Sequence, residues 1–140
     1  MNEHLIVRVI TKMLVPFILL FALYVQMHGD FGPGGGFQAG VIFATGLIAY
    51  AIVFGIKRTI RAVPVGLVAA MVSLGVILYA GVGFATLVAG GSFLGYSALD
   101  IHDPVHGQHL GIVLVELGVG ITVSGVLMAI FFTFAERYRR

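Results

Sequence analysis

The chain has no cysteine and no tryptophan among its 140 residues, and only 10% of them are charged. Without cysteine there are no disulfides and no thiolate metal sites, although the redox compartment stays open. Without tryptophan, Tyr24, Tyr50, Tyr96 and Tyr138 are the candidate anchors at a membrane–water boundary. The shortage of charge excludes most. An ordinary soluble domain is about 25% charged and 45–50% apolar, whereas this chain is 59% hydrophobic with a mean hydropathy of +1.07. So short a chain cannot bury that much apolar surface within itself, so lipid or partner subunits must act as its solvent. The net charge is only +2, and the basic residues sit in short clusters beside apolar runs, which argues against nucleic acid as a partner.

Four apolar stretches are present, and the expected fold is all-α, an integral membrane bundle of four transmembrane helices forming a single transmembrane domain over residues 1–140. The expected spans are 5–27, 37–56, 64–89 and 110–134. No small-residue cleavage pattern follows the first apolar run, so that span is expected to be retained. Pro16 withdraws a hydrogen bond from it near Lys12 and should kink it locally. Lysine and arginine cluster at Arg8 and Lys12, at Lys57, Arg58 and Arg61, and at Arg137, Arg139 and Arg140, while the other two loops have neither. The positive-inside rule then puts both termini and the 57–61 turn in the cytoplasm. Gly36, Gly40 and Ala44, and separately Gly111, Gly118 and Gly125, each fall on one helical face that admits close helix packing.

Glu116 stands inside the fourth span, where a carboxyl group costs several kcal/mol unless it is paired, hydrated or protonated. On a helix His109, Glu116 and Gly120 lie within about 40° of one another, opposite the Gly111, Gly118 and Gly125 stripe. Glu116 is therefore the leading candidate for an ion or proton path, with a structurally hydrogen-bonded carboxyl as the alternative. Lys12 and Arg8 read as topology anchors or as members of a relay. The segment from His28 to Gly40, with Pro33, Gly34, Gly35, Gly36 and Phe37 at its centre, should turn tightly into the second helix as a rigid non-helical plug covered by protein. His28 and Asp30 would stand at its outer mouth. No strand precedes it and no Walker lysine follows, so it is not a phosphate loop. The outer segment Asp100 to His109 gathers histidines and aspartates, but Pro104 and Gly107 are expected to interrupt any helix aligning the imidazoles, so no metal is expected. Most histidines lie in loops, which argues against haem; no cofactor is expected.

The run from His28 through Pro33-Gly34-Gly35-Gly36-Phe37-Gln38-Ala39-Gly40, at the junction of the first two of four spans, closely resembles the MnhB/MrpB family of small subunits of the Mrp-type multisubunit sodium/proton antiporters. As an analogy to be tested at the site, the resemblance implies a transporter subunit, not an enzyme, in a hetero-oligomer of about seven different subunits in the prokaryotic cell (inner) membrane. The large antiporter-like subunits would carry the proton channels, and this chain would belong with the smaller ones, in a complex exchanging Na+ and H+. By position, His28, Pro33 and Phe37 match the family's motif region, and Glu116 the place of a last-span carboxylate. The same module occurs in membrane-bound hydrogenase-type complexes. A purely structural subunit and an autonomous four-span exporter are the remaining alternatives.

Overall fold

The computed structural model describes residues 5–29 and 32–137, and within them the chain is helical without a strand. Tyr138, Arg139 and Arg140, named above among the anchors and basic clusters, lie outside the described residues. Five helices follow in order: α1 Leu5–His28, α2 Gly36–Phe54, α3 Ile56–Ala62, α4 Val65–Val88 and α5 Pro104–Arg137, with a 3₁₀ turn at Tyr96–Leu99. All but α3 are long and apolar enough to cross a bilayer. The first runs through Pro16 without a break. Of their central apolar windows only 11%, 28%, 17% and 28% is buried within the chain, so most of the greasy surface needs a cover from outside.

The boundaries differ from expectation in two places. The second span ends at Phe54, because Gly55 takes a positive φ of 92° and starts the short helix α3, so the 57–61 basic turn is helical. The fourth spanning helix starts at Pro104, six residues earlier than expected. The expectation that Pro104 and Gly107 interrupt a helix is overturned for a local reason. The Asp103 carboxylate accepts the backbone N–H groups of Val105 (3.1 Å) and His106 (3.2 Å), and proline is well suited to the first helical position because its missing N–H would be unpaired there anyway. Gly107 is buried in the first turns, where a Cβ would lie 2.8 Å from the Tyr96 carbonyl oxygen, so glycine there lets the 3₁₀ turn pack on α5.

The helices pack in a row, α1 on α2, α2 on α5 and α5 on α4, with α1 reaching α5 only at its edge. Gly46 of α2 faces Ile18 and Leu19, so α1 and α2 are antiparallel; Gly36 and Gly40 face Glu116, Gly120 and Val123, so α2 and α5 are parallel. Gly75 meets Gly118 and Thr122, and Gly125 meets Met71 and Val72, so α4 and α5 are antiparallel. Successive spans thus alternate in direction. The start of α1, helix α3 and the end of α5 share one end of the molecule, where Ile56, Ile60 and Val63 pack on a core of Ala44, Val68, Met128 and Phe132. Arg8, Lys12, Lys57, Arg58 and Arg61 are all exposed at this end.

At the opposite end α4 closes in a Schellman motif: Gly91 N–H bonds to Thr86 O and Gly90 N–H to Leu87 O, with Gly90 at φ 85°. The buried Thr86 hydroxyl donates to Gly83 O (2.8 Å) and accepts Leu94 N–H (3.0 Å), pinning the loop that follows.

The glycine stripe of α5 is split between partners: Gly118 and Gly125 against α4, Gly111 against the Tyr96 ring. At Gly75 a Cβ would lie 2.5 Å from Gly118 O, whereas at Gly66 and Gly81, on the same helix, it would meet nothing within 4 Å. Gly75→Leu should therefore destabilise the detergent-solubilised protein by about 1–3 kcal/mol or more, through forced separation of α4 and α5. Gly66→Ala and Gly81→Ala should be neutral or stabilising by up to about 1 kcal/mol; thermal unfolding followed by circular dichroism distinguishes the two outcomes.

Candidate functional site at the turn between α1 and α2

The turn joining α1 to α2 is built from glycine because it must lie directly on another helix. Gly35 caps α2 at φ 120°, a conformation costly for any side chain, and its N–H reaches back to the Val25 carbonyl (3.2 Å), while Gly32 N–H bonds to His28 O (3.1 Å). A Cβ on Gly34 would lie 2.8 Å from Val25 O. A Cβ on Gly36 would overlap the backbone carbonyl oxygen of Glu116 and stand 3.0 Å from Gly120 N. The first turn of α2 therefore rests backbone to backbone on α5.

This close approach brings the glycine turn and Glu116 together. The Glu116 carboxyl group lies against the backbone of Gly29 and Gly35: a Cβ on Gly35 would be 3.0 Å from Oε1, and one on Gly29 would be 2.7 Å from the same oxygen. The carboxyl thus sits at the N-terminal end of α2. Glu116 is itself half-buried.

Its depth follows from the helix rise. Glu116 is twelve residues, about 18 Å, along α5 from Pro104, and six residues, about 9 Å, inside the apolar run beginning at Leu110. The α1–α2 turn lies at the same level, and α4 and α5 extend beyond it. His109, two turns from Glu116 on the same face, is exposed and lines a depression of about 380 Å³ with Ser97, Pro104, Val105, Gln108 and Ile112.

The other candidate residues are dispersed. His28 ends α1, half-buried, and stacks on Tyr24 with ring centroids 5.3 Å apart. Asp30 lies outside the described residues. Lys12 is exposed on α1, sixteen residues or about 24 Å along the helix from His28, so it does not approach Glu116. Phe37 is 64% exposed. Pro33 is exposed in the turn, and Gly40 is buried where a Cβ would lie 2.7 Å from Gly120 O. Among the described residues no three His, Asp or Glu side chains converge as a metal site.

Two neutral polar residues that sequence reasoning passed over continue the seam below Glu116. The buried Ser124 hydroxyl donates to Gly120 O (2.7 Å) and lies 3.2 Å from Gly40 O, bridging α2 and α5. The Gln26 carboxamide of α1 presses on Gly120. Its signal was a lone amide in an apolar span, easily overlooked beside charged neighbours.

In the loop before α5 the Asp100 carboxylate accepts the N–H groups of His102 (3.0 Å) and Asp103 (3.2 Å) and pairs with His106 Nδ1 (3.1 Å). The Asp103 amide, the His106 ring and the His102 amide hold its pKa below the ordinary 3.8. Burial, with the Tyr79 hydroxyl as a lesser cause, raises the pKa of Tyr96 in the 3₁₀ turn.

The family described as "Domain related to MnhB subunit of Na+/H+ antiporter" matches residues 6–129. A Staphylococcus haemolyticus protein named as antiporter subunit mnhB2 is 34% identical over 131 residues, 92% of each chain. Proteins of the same name from Staphylococcus epidermidis and Staphylococcus aureus strain Newman are each 28% identical over 92% of both chains.

Because the Asp100 carboxylate is held below its usual pKa, its support of this loop is complete above the ordinary value of 3.8 and is lost as pH falls through the lower folded-state value. Asp100→Asn should therefore speed amide hydrogen exchange at residues 102–106 at neutral pH, and the difference from the parent should disappear in strong acid.

Proposed function

The chain belongs to the MnhB family of Na+/H+ antiporter subunits, and from that membership we propose that it is one subunit of a multisubunit antiporter exchanging Na+ and H+ across a prokaryotic cell membrane. Its role is that of a transporter component, not an enzyme, working beside the large antiporter-like and small membrane subunits of a hetero-oligomer. Both termini and α3 face the cytoplasm in this reading, supported by the gathering of Arg8, Lys12, Lys57, Arg58 and Arg61 at one end of the bundle. The α1–α2 turn then faces the outer side.

One observation carries the mechanistic proposal: a carboxyl about 9 Å inside the apolar run of α5 meets the glycine turn that precedes α2. Irregular backbone at membrane depth persists where protein covers it or where it lines a hydrated cavity. In the proposed route water reaches the turn from outside past His109, and Glu116 takes up a proton or a sodium ion there. Uptake and release at Glu116 then change the charge that faces the start of α2. His28 ends α1 beside this turn, and Asp30 lies outside the described residues. Lys12 serves as a cytoplasmic anchor rather than as Glu116's partner.

A second reading draws on the same geometry, in which Glu116 does no more than cap α2. The variants Glu116→Gln and Glu116→Asp, made in the assembled complex, separate the two. Conduction requires that Glu116→Gln, with assembly intact, lose at least about tenfold in Na+-dependent proton exchange in everted vesicles, a modest share of what removing a proton-transfer group costs, while Glu116→Asp keeps part of it. Full exchange by the glutamine variant across pH would leave Glu116 as a cap only. Purification in mild detergent tests the host complex: co-purifying antiporter-like subunits support the antiporter, whereas nickel or iron–sulfur subunits would assign the chain to a hydrogenase-type assembly.

A further inference from the structure

Among the described helices α3 alone is too short to cross a bilayer, and its mounting on the bundle is specific. Ile56, Ile60 and Val63 pack on the core of Ala44, Val68, Met128 and Phe132. Thr59, between them, is fully buried, with its hydroxyl 3.4 Å from Gly55 O. At 100° per residue Lys57, Arg58 and Arg61 fall within about 100° of one another, on the side away from these four residues. All three are exposed. The buried face therefore holds the basic face outward. We propose that this face binds anionic phospholipid: Lys57, Arg58 and Arg61 take the headgroup phosphates of the leaflet at this end of the bundle, and the acyl chains lie along exposed apolar sides of α1 and α4. The inference goes beyond the antiporter reading and needs only the four spanning helices; the topology proposed above makes that leaflet the cytoplasmic one.

The charge is uncompensated within the chain. Among the described residues Glu136 is the one carboxylate at this end, and it forms no ion pair with these bases. Helix α1 adds to the same layer. Gly46 faces Ile18, so in this antiparallel pair Arg8 comes level with roughly the start of α3, eight to ten residues further along. Directly below the charges the helix sides are greasy: Ile6, Ile10 and Met13 of α1 and Val65 and Leu67 of α4 are all exposed. Cations stacked above apolar surface match both halves of an amphiphile, which neither a soluble anion nor an acidic protein loop would use. Basic clusters on a short amphipathic helix beside a spanning helix attract anionic headgroups, each Lys or Arg strengthening binding by roughly fivefold.

The test uses the complete complex in membrane vesicles supplemented with phosphatidylglycerol or phosphatidylcholine carrying the same photoreactive headgroup-level diazirine, with adducts mapped by mass spectrometry. The expected result is labelling of residues 56–65 at least roughly fivefold stronger with the anionic lipid, a preference that shrinks as salt rises. Lys57→Gln, Arg58→Gln and Arg61→Gln together should abolish the preference, whereas Arg58→Lys with Arg61→Lys should keep most of it. Equal labelling by the two lipids, an unchanged preference in the glutamine variant, or its loss in the lysine variant as well would overturn the proposal. So would displacement of the lipid by inorganic phosphate, which would mark a soluble-anion site, or the absence of lipid adducts on α3 because another subunit covers it. None of these outcomes touches the antiporter reading, which stands or falls on co-purification and exchange.

Discussion

The arrangement depends on one steric allowance: α2 and α5 touch through their backbones because Gly36, Gly40 and Gly120 carry no side chain. A Cβ at Gly36 would collide with the Glu116 carbonyl, so any other residue would push the helices apart. The contact fixes the relative height of the two helices, and with it the level of the turn preceding α2. Every proposed property of Glu116, its depth, its position at a helix N-terminus and its access from the outer side, follows from that height. Ser124 secures the same seam with a hydrogen bond to Gly40 O, worth about 0.6 kcal/mol on average in membrane helices.

Much of this was legible in the sequence because lipid restricts the options. Four apolar runs, low charge and basic clusters dictate four helices, and glycine spacing marks the packing faces. Helix ends were less legible, since they depend on single local bonds. The start of α5 is set by the Asp103 carboxylate and Pro104 together, a cap that outweighs the breaking tendency of proline and glycine. The break at Gly55 depends on a positive φ that apolar periodicity does not record.

The site divided along similar lines. Glu116 stood out by the cost of its burial and the glycine turn by its composition, yet nothing in their wide separation along the chain said that they meet. That pairing arises from the parallel packing of α2 on α5, a tertiary fact. Lys12 and Phe37 illustrate the converse: one lies far along α1 and the other is exposed, although both stood among the sequence candidates. Gln26 was overlooked because a neutral amide raises no alarm until its neighbours are known.

The row of helices is two hairpins, α1 with α2 and α4 with α5, joined through α3 and meeting chiefly along the glycine seam. During synthesis the first hairpin is complete before α5 exists, since domains and their parts emerge N-terminal first. Until then the glycine turn has no floor beneath it and must be sheltered by the insertion machinery or by an earlier-made neighbour. Biogenesis of this polypeptide is thus tied to timing: the nascent first half waits for the second, and the interval is when mis-pairing with a foreign helix is easiest.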